Sequence, residues 1–128
     1  MKREQMTPEK IQIFEKLIGQ IDGLHNEIAL TSKKAPNDAI NTFKLKFINN
    51  ILDQWNNLLG EQFKPFSDFE QFSSEDLPTN SDVTLMLAQY IEAAEIMRTS
   101  NIYCDLGDWY WRGHKELETY PPRKLTSR

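Results

Sequence analysis

Four carboxylates sit at spacings that could hold a divalent cation. Glu92 and Glu95 are three residues apart, as are Asp105 and Asp108, which would put the members of each pair one turn apart on a helix. Oxygen ligands of this kind suit Mg²⁺, which keeps several waters while one or two carboxylates hold it. The remaining ligands or nucleophiles are His25, Cys104 and His114. They are scattered, with none of the close spacings of a zinc site. Nucleophilic catalysis would need a Cys–His pair in space, and nothing in the residue order predicts one. His25 follows Leu24 at the flank of an apolar stripe and reads as a packing histidine. Cys104 reads as a small buried hydrophobe. The chain has no phosphate-cradling glycine loop, nucleophile elbow or helix-borne His pair.

The two carboxylate pairs resemble the ExxE and ExxD pairs of the all-α nucleotide pyrophosphohydrolases. That resemblance implies a Mg²⁺-dependent nucleotide hydrolase using Glu92, Glu95, Asp105 and Asp108. It covers those four positions alone. Only nine residues separate the pairs here and the second pair begins with Asp, whereas the family places its pairs further apart on adjacent helices. Acids three apart also occur on ordinary solvated helices. The preferred reading is therefore non-enzymatic, with no metal and no cofactor.

Aromatic residues give the stronger signal. Phe63, Phe66, Phe69 and Phe72 recur every third residue among the acids Asp68 and Glu70. An α-helix would smear that series around its axis, whereas a path with three residues per turn aligns it. The segment is therefore expected to lie along the protein with its rings inward and its acids outward. Further on, Trp109-Tyr110-Trp111 precedes Arg112, His114 and Lys115. Three consecutive aromatics cannot all face inward from one helix, and Trp, Tyr and Arg are enriched where partners bind. The expected partner-binding residues are Phe63, Phe66, Asp68, Phe69, Glu70, Phe72, Trp109 and Trp111. An alternative uses Trp111, Arg112, Lys115 and the basic tail on single-stranded nucleic acid.

Charge weighs against that alternative. The 128 residues carry a net charge of −4, which disfavours a general nucleic-acid binder. Residues 61–108 hold ten acids and two bases, a local charge of −8 that leaves +4 for the rest. Such asymmetry suits a basic protein partner, and a homodimer is the other expected association. No apolar run approaches a membrane span. No secretory leader is apparent after Met1-Lys2-Arg3-Glu4, and one cysteine allows no internal disulfide. A cytoplasmic setting is expected.

These residues need elements to position them. Thr7-Pro8-Glu9 reads as a helix start. From there Ile11, Phe14, Leu17, Ile18, Ile21, Leu24 and Ile28 recur at steps of three and four. Gly19 and Gly23 sit four apart and would admit a close helix neighbour. A second helix is expected from Pro36 or Asn37 to Leu59, ended by Gly60. Its four asparagines, Asn49, Asn50, Asn56 and Asn57, are poor helix formers. The third helix spans about 81–100, with Val83, Leu87, Tyr90, Ile91, Ala94 and Met97 buried. A short fourth is expected over about 106–118. The expected fold is all-α, an antiparallel bundle forming one domain. It has a Phe-rich acidic connection at 61–80 and a mobile tail at 121–128.

Overall fold

The computed structural model describes residues 5–123. Helix α1 runs Pro8–Lys34, α2 Thr42–Phe63 and α3 Asn80–Thr99. The Thr7 side chain accepts from Lys10 N–H, and Pro8 occupies the first helical turn, where its missing N–H costs nothing. The apolar stripe of α1 is buried at Ile11, Phe14, Leu17, Ile21 and Ile28. Helix α3 opens with a reciprocal capping box between Thr79 and Asp82. It packs against both other helices, in keeping with its apolar residues on several sides.

The start of α2 lies later than expected. Pro36 and Asn37 belong to a connection that pairs with the entry to α3. Ile40 N–H donates to Pro78 O at 2.8 Å, Asn80 N–H to Asp38 O at 2.9 Å, and Ser81 N–H to Pro36 O at 3.0 Å. Buried Asn80 adds a side-chain bond to Ala35 O at 2.8 Å. Asn41 therefore becomes the helix cap, accepting from Lys44 N–H. Gly60 has φ 67°, a conformation open to glycine. It kinks the chain there, but helical turns resume as far as Phe63.

The all-α expectation is overturned at the C-terminal end. In place of a fourth helix stand three antiparallel strands: β1 Ile102–Asp105, β2 Asp108–Trp111 and β3 His114–Thr119, in the order β1-β2-β3. The protein is a mixed fold of helices and a small sheet, not a helical bundle. Two tight turns decide the matter. Leu106-Gly107 joins β1 to β2 with φ of 53° and 88°, and Arg112-Gly113 joins β2 to β3 with Gly113 at φ 80°. Positive φ at these glycines favours hairpins and breaks a helix.

A period of two resolves the aromatic run. Trp111 pairs with Ile102 and Trp109 with Cys104, whereas Tyr110 pairs with Tyr103 on the opposite face. Trp111 is buried and Trp109 packs against the core. The rings of Tyr103 and Tyr110 meet at 5.8 Å. At the centre of the protein Phe14 stands edge-on to Trp55 at 5.4 Å and to Trp111 at 5.6 Å. The sheet is also tied to the chain's beginning. His114 Nε2 lies 2.7 Å from Met6 O, and the Gln5 side chain occupies the space a Cβ on Gly113 would need.

Candidate interaction surface

The Phe-rich segment is fastened to the helices. Asn49 pairs with the backbone of Phe72 in both directions, donating to its oxygen at 2.9 Å and accepting from its N–H at 2.9 Å. Asn56 donates to Glu70 O at 2.9 Å and accepts from the Tyr90 hydroxyl at 2.6 Å. Lys64 Nζ lies 3.2 Å from Glu61 and 3.4 Å from Glu70, with its side chain almost fully covered. The Glu61 hydrogen bond dominates in raising its pKa, against the opposing effect of desolvation. Two of the four asparagines that weaken α2 as a helix thus serve as backbone anchors for the next segment.

Phe63, Phe69 and Phe72 pack against the core, and Phe66 is half-buried. Asp68 and Glu70 are exposed. Rings face inward and acids outward, but the path is irregular, with a 3₁₀ turn only at Ser74–Asp76. Of the expected partner-binding residues, Trp111 is enclosed, Trp109 and the phenylalanines are partly covered, and Asp68 and Glu70 lie open.

The second fastening holds the C-terminal segment. Arg98 is fully buried on α3 and makes a two-pronged pair with Glu95, at 2.9 and 2.8 Å. Its remaining donors reach Thr119 Oγ1 at 3.0 Å, Tyr120 O at 2.8 Å and Pro121 O at 2.9 Å. All five guanidinium N–H groups are therefore used. The guanidinium also lies 3.8 Å from the centre of the Tyr120 ring. Glu95 accepts from Arg123 N–H at 2.6 Å, and the Arg123 side chain reaches Asp22 on α1 at 3.4 Å. Residues 121–123 are thus fastened; residues 124–128 of the expected tail lie outside the described residues.

The four carboxylates of the metal alternative do not converge on one site among the described residues. Glu95 is committed to Arg98, and Asp105 pairs with Lys115 at 3.2 Å. Asp108 stands opposite Asp105 across the first hairpin. Among the described residues no group of three or more His, Cys, Asp or Glu side chains is placed to hold a metal ion. Cys104 is exposed, not the buried hydrophobe expected from its sequence setting.

One surface is apolar and uncovered. Phe43 and Phe47 form an edge-to-face pair at 5.0 Å on α2, yet remain 66% and 54% exposed. Beside them a groove of about 430 Å³ opens between α1 and α2, lined by Gly19, Gln20, Gly23, Leu24, Glu27, Phe47 and Ile51. Lys44 spans the two helices to Glu27 at 2.9 Å. With Phe43 and Phe47 added to the buried Leu45, Ile48, Ile51, Leu52, Trp55 and Leu59, the apolar residues of α2 form a stripe too wide for the one face that α2 turns to the core. No helix among the described residues is long and apolar enough to cross a membrane. Compared with family models, curated proteins and solved structures, the chain matches none.

Proposed function

We propose that the protein is a non-enzymatic interaction module whose partner docks in the α1–α2 groove. The observation that carries this reading is the paired exposure of Phe43 and Phe47 beside an open groove. Exposed apolar area that is contiguous and next to a concavity marks binding surfaces, whereas scattered apolar side chains do not. An aromatic pair supplies large contact area at small entropic cost, as interface anchors do. The other five phenylalanines, buried at Phe14 and partly covered at the rest, indicate that this chain covers such rings where its own structure requires it. The Mg²⁺-hydrolase alternative has no comparable support, because Glu95 is committed to Arg98 and Asp105 to Lys115. The reading places the protein in the cytoplasm, with its single exposed thiol reduced.

A photo-reactive phenylalanine analogue at position 47 tests the proposal in cells. The expected result is a cross-link to a polypeptide that disappears when Gly23→Leu fills the groove. Absence of any cross-link, or one that Gly23→Leu leaves unchanged, would sink it.

A further inference from the structure

Taking the groove as a docking surface, we infer that its occupant is α1 of a second copy of this chain, packed antiparallel about a two-fold axis. The inference starts from Gly19 and Gly23. Glycine is a poor helix former, yet two lie a turn apart in the middle of α1. A Cβ at either position would meet nothing within 4 Å. Packing within one chain therefore gives no reason for glycine there. A helix from outside does, because glycine lets two helix backbones approach closely.

The exposed face of α1 shows which helix that is. Besides its buried stripe, α1 carries a second heptad seam in two rows, Glu9-Lys16-Gly23-Leu30 and Ile13-Gln20-Glu27-Lys34. Every one of these residues is exposed. The seam runs through the groove, since Gln20, Gly23 and Glu27 line both. Place a two-fold axis between Ile21 and Asp22, with the second α1 antiparallel. Each residue of one row then faces a residue of the other row in the second copy. Gly23 meets Gln20, which gives a thin central layer. Ile13 meets Leu30, apolar against apolar. Lys16 meets Glu27 and Glu9 meets Lys34, base against acid at both ends. Because the arrangement is isologous, each of these layers occurs twice.

A parallel arrangement fails on the same residues. It would set Glu9 beside Glu9, Lys16 beside Lys16 and Glu27 beside Glu27. The pairing to Lys44 does not remove Glu27 from the antiparallel seam, because its side chain stays 61% exposed and a carboxylate has two oxygens. A helix seated over the glycines would cover Phe47 and its partner Phe43, the two rings that one chain leaves open.

Sedimentation equilibrium over a dilution series, with circular dichroism to verify folding, tests the inference. The wild-type chain should rise from its 15.0 kDa monomer mass towards twice that value. Lys16→Glu and Glu27→Lys should each remain monomeric, because each sets like charges across both symmetric layers. An equimolar mixture of those two variants should recover the dimer, because acid again faces base in the mixed pair. Gly23→Leu should stay folded and monomeric. A wild-type chain that stays at the monomer mass overturns the second copy as occupant. In that case a Phe47 cross-link to a different polypeptide keeps the docking surface, and no cross-link at all removes both. A dimer that persists in Lys16→Glu and Gly23→Leu places its interface elsewhere and also overturns the inference.

Discussion

Six of the seven phenylalanines divide into two treatments. Phe66, Phe69 and Phe72 lie in a segment without regular structure that follows Phe63 at the end of α2, yet Asn49, Asn56 and Lys64 hold that segment down. Phe43 and Phe47 lie on a regular helix, where no loop among the described residues passes over them and their rings stay open to solvent. Phe14 is in the core. Irregular chain loses more entropy on ordering and needs fastenings to offset it. A helix face costs little to leave bare in stability, so it is where a binding surface is inexpensive to keep. The contrast separates rings that the fold fastens down from rings that it leaves open.

The strongest challenge to that division comes from the second fastened segment. Arg98→Ala should destabilise the protein by about 3–5 kcal/mol, because Glu95 would remain buried without its partner. Chemical denaturation measures it, and a loss below about 1 kcal/mol would show that residues 119–123 are not held as described. Asn49→Ala should cost about 1–3 kcal/mol, by stranding both backbone groups of Phe72. Limited proteolysis should then cut first within 64–77, and unchanged cleavage there would remove Asn49 as an anchor.

Alkaline pH loosens both fastenings together. Burial raises the pKa of the Tyr90 phenol, which donates to Asn56, and of the Tyr120 phenol beside Arg98. The folded state favours the neutral phenols. Their contribution is therefore complete below the unfolded value of about 10 and is lost as pH rises through the higher folded values. Stability should fall above about pH 10, and Tyr90→Phe should make that fall shallower. An identical alkaline slope in the variant would dismiss Tyr90 as a contributor. The smallest effect belongs to the bare helix face. Phe43→Ser with Phe47→Ser should change monomer stability by no more than about 0.5 kcal/mol per site, read by urea unfolding of the dilute chain. A larger loss would move these rings from the binding class to the structural one.

Local signals made the helices legible. Thr7-Pro8 and the apolar spacing located α1, and Val83, Leu87, Tyr90, Ala94 and Met97 located the core face of α3. The sheet was hidden because strands of four, four and six residues are too short to show alternation. Their real markers were Gly107 and Gly113, each second in a two-residue turn, with aromatic residues between. Asn49 and Asn56 act on residues 23 and 14 positions away, so no local rule exposes their roles. Arg98 is the extreme case. Nothing in its neighbourhood foretells a fully buried cation, because most of its partners arrive more than 20 residues later. The groove was half legible: the glycine spacing was visible, but that no described part of the chain would cover Phe47 was not.

The aromatic cluster at Phe14 carries a consequence for how the chain is made. Phe14 emerges from the ribosome first, Trp55 follows 41 residues later and Trp111 a further 56 residues later. The ring set is complete only when the sheet has left the exit tunnel, and Met6 gains its His114 partner at the same moment. Synthesis at ~5–20 residues per second therefore leaves α1 waiting several seconds with part of its apolar stripe unmet. A nascent chain arrested before residue 111 should bind chaperones that the finished protein ignores, and slowing translation across 100–115 should lengthen that vulnerable interval in proportion.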